Sequence, residues 1–410
     1  MTTLPATPPV EVIGLGMEPA DIAAGALGIV QRAQVLAGGA RLLERFPKHP
    51  GRRIVLASPL ATALDAVVQA HADGLSVVVL ADGDPLFYGI GKRLLELFGP
   101  EALRFHPGVT AVQAAAARIG RCLQDTPVVS LHGRSDIGPL LAALARRGEA
   151  AVYTDLANSP DRIARTLLEQ GLAEARMWVL EDMGSPSEQV RLFSPAEAAR
   201  ETFSALNLVV VVIEREKRPL AVLGRTDNFY RKREGLITKW PVRACSLAAL
   251  RLSPTDTLWD VGAGCGSVGI EACALLPYGR VYAVERNHDR SESIRENIRR
   301  AGAWQVRLMQ GEAPEVLAGL PDPERIFVGG GLGKSSALLP VLCKALKPGG
   351  RLVANVVLLS GLNRLLDTLA SLGWRREVST VQASDATPLA GDLRLRAHNP
   401  VFIIAADKPL

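Results

Sequence analysis

The segment Leu258–Ala272, LWDVGAGCGSVGIEA, joins an apolar run to several glycines and then to small helix-forming residues. This order predicts a strand, a tight turn and a helix, because glycine permits the positive φ angles that such a turn needs. The helix would direct its N-terminal amide groups at a polar ligand. The segment therefore predicts a nucleotide-binding loop, and it lies more than halfway along a chain of 410 residues.

The residues around and after this loop predict a regular α/β series. Five strands have the sequences TLWDVG, RVYAVER, VRLMQG, RIFVGGG and RLVANVVLL, with helices between them. Two more strands, at residues 374–382 and 399–406, follow with no helix between them. This pattern predicts a seven-stranded sheet with five βα steps and a terminal antiparallel pair.

The residues before the loop also alternate strands and helices, in two consecutive blocks. The predicted strands of the first block are 10–16, 53–57, 76–85 and 103–108, and those of the second block are 127–134, 151–155, 177–182, 189–193 and 207–214. The segment 214–221 is charged, contains a proline and has no apolar period, which predicts a linker. We therefore expect one domain at 1–217 and another at 218–410.

The composition is that of a globular α/β protein, with 48% apolar and 22% charged residues. The formal net charge is +5, but lysine and arginine form no stripe interleaved with aromatic residues, so no nucleic acid partner is expected. The longest apolar run, 208–213, is far too short to span a membrane, and no signal peptide is recognised, which predicts a cytoplasmic protein. The cysteines form no CxxC pair, so we expect buried thiols and no metal.

Acidic residues follow the strands next to the glycine loop. Glu285 ends the following strand, about 20 residues on, where a carboxylate can accept the ribose hydroxyls of a nucleotide. Glu312 follows the third strand, at a position that borders an adenine, and Asp260 precedes the glycines. The loop also satisfies GxGxxG, the dinucleotide pattern, so the glycines alone leave a nicotinamide cofactor open.

Two segments of the first half combine a turn with polar or closely packing residues. ADGDPLFYGIG (81–91) follows a buried strand, and its Gly-Asp-Pro triplet predicts a turn that exposes backbone groups at the carboxyl edge of the sheet. HPGVTAVQAAAARIG (106–120) predicts a turn followed by a helix that Thr110 caps. One face of this helix is nearly all alanine, so the helix can pack very close to a ligand or a sheet.

Taken together, the motifs resemble known families. VIGLG, DGDPLFYG and HPGVTAVQAAAARIG are similar to the tetrapyrrole methylase fold, and VSLHGR (129–134) is typical of its cobalamin branch. GLITK, VRA, the glycine loop, RIFVGGG and NPVFII resemble a class I S-adenosylmethionine-dependent methyltransferase of the same pathway step. The resemblance covers about residues 10–406. It implies a tetrapyrrole methylase of two α/β subdomains, followed by a class I Rossmann-like domain with a seven-stranded sheet.

The resemblance also implies the chemistry. The expected reaction uses two S-adenosylmethionine sites to methylate carbons 5 and 15 of a corrinoid, a precorrin, and removes carbon dioxide from the acetate on ring C. The first domain is expected to serve carbon 5, and the second to serve carbon 15 and the decarboxylation, in a homo-oligomer. The alternatives are a methyltransferase of another small molecule or of RNA, a corrinoid carrier without activity, and an NAD-dependent oxidoreductase.

The resemblance assigns cofactor contacts residue by residue. They are Gly83, Asp84, Thr110 and Ala111 in the first domain and Thr238, Gly262, Ala263, Gly264, Cys265, Gly266, Glu285, Glu312 and Ala313 in the second. No catalytic residue is assigned, but His132, Lys239 and Arg243 are candidates. A histidine can move a proton near neutral pH, and lysine or arginine, including Arg134, can anchor substrate carboxylates. Each of these four residues is equally compatible with a solvated or structural role.

Two segments depart from the family pattern. Many tetrapyrrole methylases open with a Gly-x-Gly-Pro-Gly loop, where this sequence has Gly-Leu-Gly-Met-Glu-Pro at 14–19. The resemblance therefore assigns no cofactor contact to residues of this loop. Pro241 stands where an acid is expected, and proline also removes a backbone donor. If the family's acid binds or protonates substrate, this protein must do so with another group.

Overall fold

The computed structural model of the chain describes residues 8–134, 137–214, 220–233, 235–330 and 337–410. The described residues form two compact units, the first within 1–135, 151–165 and 176–211 and the second within 136–150, 166–175 and 212–410. The predicted domain boundary after residue 217, and most of the predicted linker, fall outside the described residues. The boundary therefore stays a prediction.

The first sheet is entirely parallel and has the strand order β3-β2-β4-β1-β5. Its strands are β1 (Val10–Gly14), β2 (Val35–Gly38), β3 (Arg52–Val55), β4 (Val77–Ala81) and β5 (Leu103–His106). Strand β4 is buried at every position, as expected for a parallel sheet with both faces covered. The sequence predicted four of these strands, and β2 was missed.

A second five-stranded sheet has the order β6-β7-β10-β8-β9. Its strands are β6 (Val128–Ser130), β7 (Glu149–Tyr153), β8 (Arg176–Glu181), β9 (Gln189–Phe193) and β10 (Asn207–Val212). Strands β6 and β7 pair in parallel, and β8 and β9 pair antiparallel. All five correspond to predicted strands.

The third sheet has seven strands in the order β13-β12-β11-β14-β15-β19-β16, which confirms the predicted sheet. Its strands are β11 (Thr257–Val261), β12 (Arg280–Glu285), β13 (Val306–Gln310), β14 (Arg325–Val328), β15 (Arg351–Val356), β16 (Arg375–Val381) and β19 (Val401–Asp407). Strands β11 to β15 are parallel, and β19 runs antiparallel to both β15 and β16. This is the predicted terminal antiparallel pair.

Between β16 and β19 the chain forms a hairpin that the sequence analysis missed. Its strands, β17 (Ser384–Leu389) and β18 (Asp392–Ala397), form a separate two-stranded sheet. Ala390 and Gly391 connect them with positive φ angles of 50° and 83°. Two positive φ angles in a two-residue loop match the right-handed twist of the strands.

The helices lie between the strands in chain order. They are α1 (Ala24–Arg32), α2 (Ala40–Leu43), α3 (Leu60–Ala72), α4 (Gly91–Phe98), α5 (Ala111–Ile119), α6 (Gly138–Arg147), α7 (Pro160–Glu169), α8 (Pro195–Ala198), α9 (Trp240–Leu250), α10 (Ser267–Ala272), α11 (His288–Ala301), α12 (Leu338–Ala345) and α13 (Leu359–Ser371). In the third sheet, apolar side chains of α12 and α13 form a core with β11, β14, β15 and β19. No helix among the described residues is long and apolar enough to span a membrane.

The cysteines are only partly where the sequence predicted them. Cys265, Cys273 and Cys343 are buried, whereas Cys122 and Cys245 are exposed and correct the expectation that all five are buried. Both exposed thiols lie at positions that do not face a hydrophobic core. Cys122 follows the end of α5, and Cys245 occupies an exposed position of α9.

Three glycines bring the loops after β1, β4 and β5 into backbone contact. A Cβ atom on Gly14 would lie 2.2 Å from the carbonyl oxygen of Gly83, and one on Gly108 would lie 2.5 Å from the same oxygen. Gly83 itself has a φ of +55° and pairs with Gly16 in an isolated bridge. The carboxyl edge of the first sheet can therefore close only because these positions lack side chains.

This contact generates a stability prediction for the first unit. Gly14→Ala places a methyl group against backbone, so we expect the free energy of unfolding of this unit to fall by about 2–3 kcal/mol. Gly25→Ala is the matched control, because a Cβ there meets nothing within 4 Å. Denaturant titration of both variants measures the effect. Equal unfolding midpoints for Gly14→Ala and Gly25→Ala would contradict the predicted backbone clash.

Candidate functional site

The first cavity opens at this carboxyl edge and has a volume of about 640 Å³. All four residues predicted for the first site, Gly83, Asp84, Thr110 and Ala111, line it. The Asp84 carboxylate accepts a hydrogen bond from the amide of Leu86 at 2.8 Å, which fixes the turn after β4. The structure thus brings the two predicted motifs of the first half to one cavity.

Thr110 caps α5, as the sequence predicted. Its hydroxyl accepts a hydrogen bond from the Gln113 amide at 3.1 Å, and the Gln113 side chain accepts one from the Thr110 amide at 2.8 Å. This reciprocal pair is a capping box, and it fixes the first turn of the helix. The N-terminus of α5 therefore presents Thr110 and Ala111 to the cavity in a fixed geometry.

The opening loop, which differs from the family pattern, is held by the side chain of Asp21. The Asp21 carboxylate accepts hydrogen bonds from the amides of Met17 and Glu18, at 2.7 and 2.8 Å. Gly16, with a φ of +63°, lies against the Asp21 side chain and lines the cavity together with Met17. An aspartate therefore organises the backbone at this point of the loop.

Aromatic residues form one wall of the first cavity, and the sequence analysis did not single them out. Phe87, Tyr88 and Tyr153 line it, and the rings of Tyr88 and Tyr153 are 5.5 Å apart. The Tyr88 hydroxyl donates to the carbonyl of Val128 at 2.7 Å, although the residue has a positive φ of 55°. Burial raises the pKa of Tyr153 to about 12, so this phenol stays neutral at physiological pH. The wall is therefore uncharged and suited to a flat ligand.

His132 and Arg134 do not line the first cavity among the described residues. Both are exposed, and the Arg134 Nε donates to the carbonyl of Ser130 at 2.9 Å. The amide of Gly133 donates to Asp155, and this bond is the main reason that the pKa of Asp155 is lowered. The 131–134 segment is thus a hydrogen-bonded turn, and the structure does not bring His132 or Arg134 to the cofactor motifs.

The glycine loop that follows β11 has the geometry that its sequence predicts. The amides of Gly262 and Ala263 both donate to the carbonyl of Val284 at 3.0 Å, and Gly262, Gly264 and Gly266 have φ angles of +73°, +63° and +78°. A Cβ on Gly262 would lie 2.9 Å from the carbonyl oxygen of Gly330. The loop therefore needs glycine both for its backbone angles and for its close approach to the segment after β14.

Glu285 ends β12 beside this loop and is buried. Its carboxylate accepts hydrogen bonds from the amides of Gly264 and Asn287, each at 2.9 Å. Two backbone donors hold the side chain in one position, and a carboxylate still has lone pairs for two further donors. The predicted ribose contact is thus available in a preorganised form.

The second cavity surrounds these groups and has a volume of about 790 Å³. The predicted residues that line it are Thr238, Lys239, Gly262, Ala263, Gly264, Cys265, Glu285, Glu312 and Ala313. Gly266 does not line it and is instead the N-cap of α10. Glu312 is exposed and forms an ion pair with Arg286 at 3.0 Å, so it borders the cavity at its rim.

Arg243, a catalytic candidate, does not line the cavity, and its side chain is fully buried. Its Nε donates to Glu271 at 2.7 Å, and its Nη1 and Nη2 donate to the carbonyls of Thr238 and Arg225. Asp227 lies 3.3 Å from the same guanidinium. With its donors engaged inside the protein, Arg243 positions the segment that carries Thr238, and the structure does not place it against a ligand.

Lys239 does line the cavity, and it pairs with Asp227 at 3.3 Å. It is the N-cap residue of α9, and Pro241 lies in the first turn of that helix. A first-turn residue has no intrahelical partner for its N–H, so proline is accommodated there without loss of a helix bond. The substitution of the family's acid by proline therefore leaves the helix intact.

The buried carboxyl group of Asp260 lies beneath the glycine loop. One oxygen accepts a hydrogen bond from the Gly269 amide at 3.0 Å, and the other is buried with no hydrogen-bond partner among the described residues. Burial, with a smaller contribution from the charge of Glu285, raises the pKa of Asp260 to about 7. The sequence placed this residue next to the glycines but could not predict its altered acidity.

The fold and this site define a class. A sheet of this strand order, with a glycine loop after β11 and a carboxylate at the end of β12, is a class I Rossmann-like methyltransferase domain, and the unit before it has its own glycine-built site. Residues 9–199 match the tetrapyrrole (corrin/porphyrin) methylases, and residues 228–408 match the precorrin methyltransferase domain.

A protein of Sinorhizobium sp named precorrin-6Y C(5,15)-methyltransferase (decarboxylating) is 34% identical over 403 residues, 96% of this chain and 95% of that protein. The chain belongs to the family of precorrin-6Y C(5,15)-methyltransferases (decarboxylating).

Two shorter relatives from Salmonella typhimurium each match about half of the chain. A protein named cobalt-precorrin-7 C(5)-methyltransferase is 35% identical over 49% of this chain and 98% of its own length. A protein named cobalt-precorrin-6B C(15)-methyltransferase (decarboxylating) is 38% identical over 45% of this chain and 95% of its own length. The chain is thus similar to two separate shorter proteins, one over each half, and to the Sinorhizobium protein over nearly its whole length.

The state of Asp260 generates a prediction about pH. With a pKa of about 7 in the folded state and about 3.9 in the unfolded state, this group binds a proton more tightly when folded, so the stability of the second unit falls as pH rises between these values. Asp260→Asn cannot ionise and should remove roughly 2–3 kcal/mol of the stability loss between pH 5 and pH 8. Urea unfolding of cofactor-free protein at both pH values measures it.

The exposed Asp367 provides a control, because Asp367→Asn changes the same chemistry without burial. The stability of the Asp367→Asn variant should depend on pH in the same way as that of the unaltered protein. If Asp260→Asn shows that same dependence, the raised pKa is wrong.

Proposed function

We propose that the chain transfers methyl groups from S-adenosylmethionine to carbons 5 and 15 of a precorrin and removes carbon dioxide from the ring C acetate, in cobalamin biosynthesis. One observation carries the proposal: the described residues form two separate cavities, each lined by glycine backbone where parallel strands end. The similarity to a precorrin-6Y C(5,15)-methyltransferase (decarboxylating) over 96% of this chain supports the same proposed reaction.

We assign carbon 5 to the first unit and carbon 15, with the decarboxylation, to the second. The support is the division of the two family matches, a tetrapyrrole methylase at 9–199 and a precorrin methyltransferase domain at 228–408. It agrees with the names of the two shorter relatives, one a C(5)-methyltransferase and the other a decarboxylating C(15)-methyltransferase.

The second cavity fits S-adenosylmethionine through its own residues. Glu285, held by two backbone amides, would accept the ribose hydroxyls. Glu312 and Ala313 would border the adenine, and the backbone from Gly262 to Cys265, which lines the cavity, would lie against the methionine portion. Thr238, placed by the Arg243 network, would close the site.

The first cavity fits the same cofactor in a different way. Gly83 and Asp84 would meet it at the turn after β4, and Thr110 and Ala111 at the start of α5. A Cβ on Gly83 would lie 3.2 Å from the Cα of Thr110, so the two segments are already in contact. Two sites of unrelated architecture in one chain are the basis of our proposal of two cofactor molecules per chain.

When bound, S-adenosylmethionine supplies an electrophilic methyl group. The protein's task is then to hold the nucleophilic ring carbon in line with it, and orientation of this kind can contribute up to about 7–11 kcal/mol. The apolar side chains of Leu236, Val357 and Leu358 line the second cavity and keep water away from a bound ring. Lys239 supplies a positive charge in the same cavity, where it can orient a substrate carboxylate.

The direct test is the mass change of precorrin-6B incubated with the full chain and S-adenosylmethionine. We expect a product with two added methyl groups and one carbon dioxide lost, together with release of S-adenosylhomocysteine. Cofactor binding without any change in the mass of the precorrin would overturn the proposed function.

The two-site proposal predicts two binding events in calorimetric titration of the full chain with S-adenosylhomocysteine. Glu285→Ala should weaken the second-unit event about tenfold to a hundredfold, because a hydrogen bond to a charged group is lost, and should leave the other event unchanged. Ala111→Trp should abolish the first-unit event, because the indole would fill the cavity at Ala111.

Two control variants make the same kinds of substitution, acid to alanine and alanine to tryptophan, at positions outside the two cavities. Asp367→Ala removes an exposed acid of α13, and Ala72→Trp adds an indole at an exposed position of α3. Both controls should keep two events. A single event in the unaltered chain would contradict the proposal of two sites.

A further inference from the structure

The hairpin β17–β18 continues directly from the wall of the second cavity. Ala383 and His398, at the base of the hairpin, both line that cavity, and the amide of His398 donates to the carbonyl of Ala383 at 2.9 Å. The strand ladder therefore extends one residue pair beyond β17 and β18 into the cavity wall. His398 also pairs with Asp385 at 2.7 Å.

Alternation along the strands gives the hairpin two different faces. Side chains two residues apart share a face, so His398, Arg396 and Arg394 lie on one side. Their cross-strand partners include Asp385, opposite Arg396, and Thr387, opposite Arg394. This polar face begins at a residue that lines the cavity. From His398 the face extends about 14 Å along the strand to Arg394, at about 3.4 Å per residue.

The other face of the hairpin is apolar, because Leu393, Leu395 and Pro388 lie on it with Ala386. The two faces differ in charge as well as in polarity, because both arginines lie on the same face of the hairpin. They are concentrated on the side that is continuous with the cavity.

The guanidinium groups of the two arginines have no intramolecular partner in the part of the chain that the structure describes. Both are exposed, and no described residue forms an ion pair or side-chain hydrogen bond with either guanidinium. Elsewhere in the second unit, arginines such as Arg243, Arg325 and Arg351 are all engaged. A pair of free guanidinium groups at the end of a cavity wall is suited to bidentate binding of carboxylates.

The mouth of the same cavity also exposes apolar surface. Leu236, Val357 and Leu358 line the cavity and have exposed fractions of 49%, 52% and 68%. Large exposed apolar side chains at a cavity mouth are typical of a binding surface for a hydrophobic ligand. The combination of an apolar mouth with an extension that presents two arginines matches a flat apolar ring that carries carboxylates on its periphery.

We infer that the β17–β18 hairpin is a substrate-binding arm of the second site: Arg394 and Arg396 bind peripheral carboxylates of the macrocycle, while its ring lies on Leu236, Val357 and Leu358. This inference rests on the proposed function for the nature of the substrate. The arm would also discriminate between corrinoids by their number of carboxylates. A corrinoid with fewer carboxylates would lose contacts with the arginines but keep the contacts of its ring.

The test compares Arg394→Gln/Arg396→Gln with Arg375→Gln/Arg376→Gln in the full chain. The control pair removes the same two charges from exposed positions at the start of β16, where the backbone of Arg375 lies opposite Asp407 of β19. We expect the KM for carbon-15 methylation to rise about tenfold in the hairpin variant, since each arginine loses a charge-assisted hydrogen bond. The kcat and the affinity for S-adenosylhomocysteine should stay near those of the unaltered protein.

A binding measurement isolates the electrostatic contribution. Uroporphyrin, a stable tetrapyrrole with an acetate and a propionate on each pyrrole ring, is titrated at several salt concentrations. Its affinity should depend less steeply on salt in the hairpin variant than in the control, because two charges that salt screens are absent. Arg394→Lys/Arg396→Lys keeps both charges and should recover most of the affinity.

The outcomes separate this inference from the proposed function. Equal KM values and equal salt dependence in the two glutamine variants would overturn the inference while methylation itself stands. A hairpin variant that changes oligomeric state, with KM restored when that state is restored, would also overturn it, because the arm would then serve association. Cofactor binding with neither precorrin methylation nor uroporphyrin binding in the unaltered protein would instead remove the proposed function.

Discussion

A single buried carboxylate, that of Glu271, holds together the part of the second unit on which its binding site depends. It accepts hydrogen bonds from the Arg243 guanidinium, the Tyr230 hydroxyl and the Gly224 amide. Removing one partner from such a cluster leaves a buried charge uncompensated, which typically costs about 3–5 kcal/mol. Because Glu271 lies in α10, whose first turn follows the glycine loop, the cluster fixes the segment that carries Thr238 relative to that loop.

Both units meet the same physical requirement by different means. A ligand at the carboxyl edge of a parallel sheet needs close access to backbone, and any Cβ in the way prevents it. The first unit satisfies this with three loops that meet at glycines, whereas the second uses one loop with three positive φ angles. The second unit then fixes its charged group, Glu285, by backbone amides, whereas the first offers a turn and a capped helix. These separate solutions are what make two independent sites physically reasonable.

Strands such as β4 and β10 were predictable because nearly all of their residues are buried, so their sequences are clear apolar runs. The sequence analysis missed β2, a run of only four residues next to two glycines, and it missed the β17–β18 hairpin, whose strands are almost entirely exposed and whose turn uses Ala390 where asparagine or aspartate would give a clear signal. The conformation of the glycine loop and the position of Glu285 at the end of β12 were predictable because both depend on local spacing in the sequence. The burial of Arg243 was not, because its partner Glu271 is 28 residues away, and only the fold brings them together.

The glycine contact in the first unit also limits how the protein can change over evolutionary time. When a substitution clashes with a side chain, a second substitution that shortens that side chain can restore the fit. At Gly14 and Gly108 the group that a new Cβ would meet is the carbonyl oxygen of Gly83, which no substitution removes. Loss at either position therefore has no side-chain suppressor, and genetic reversion there is expected to restore glycine itself.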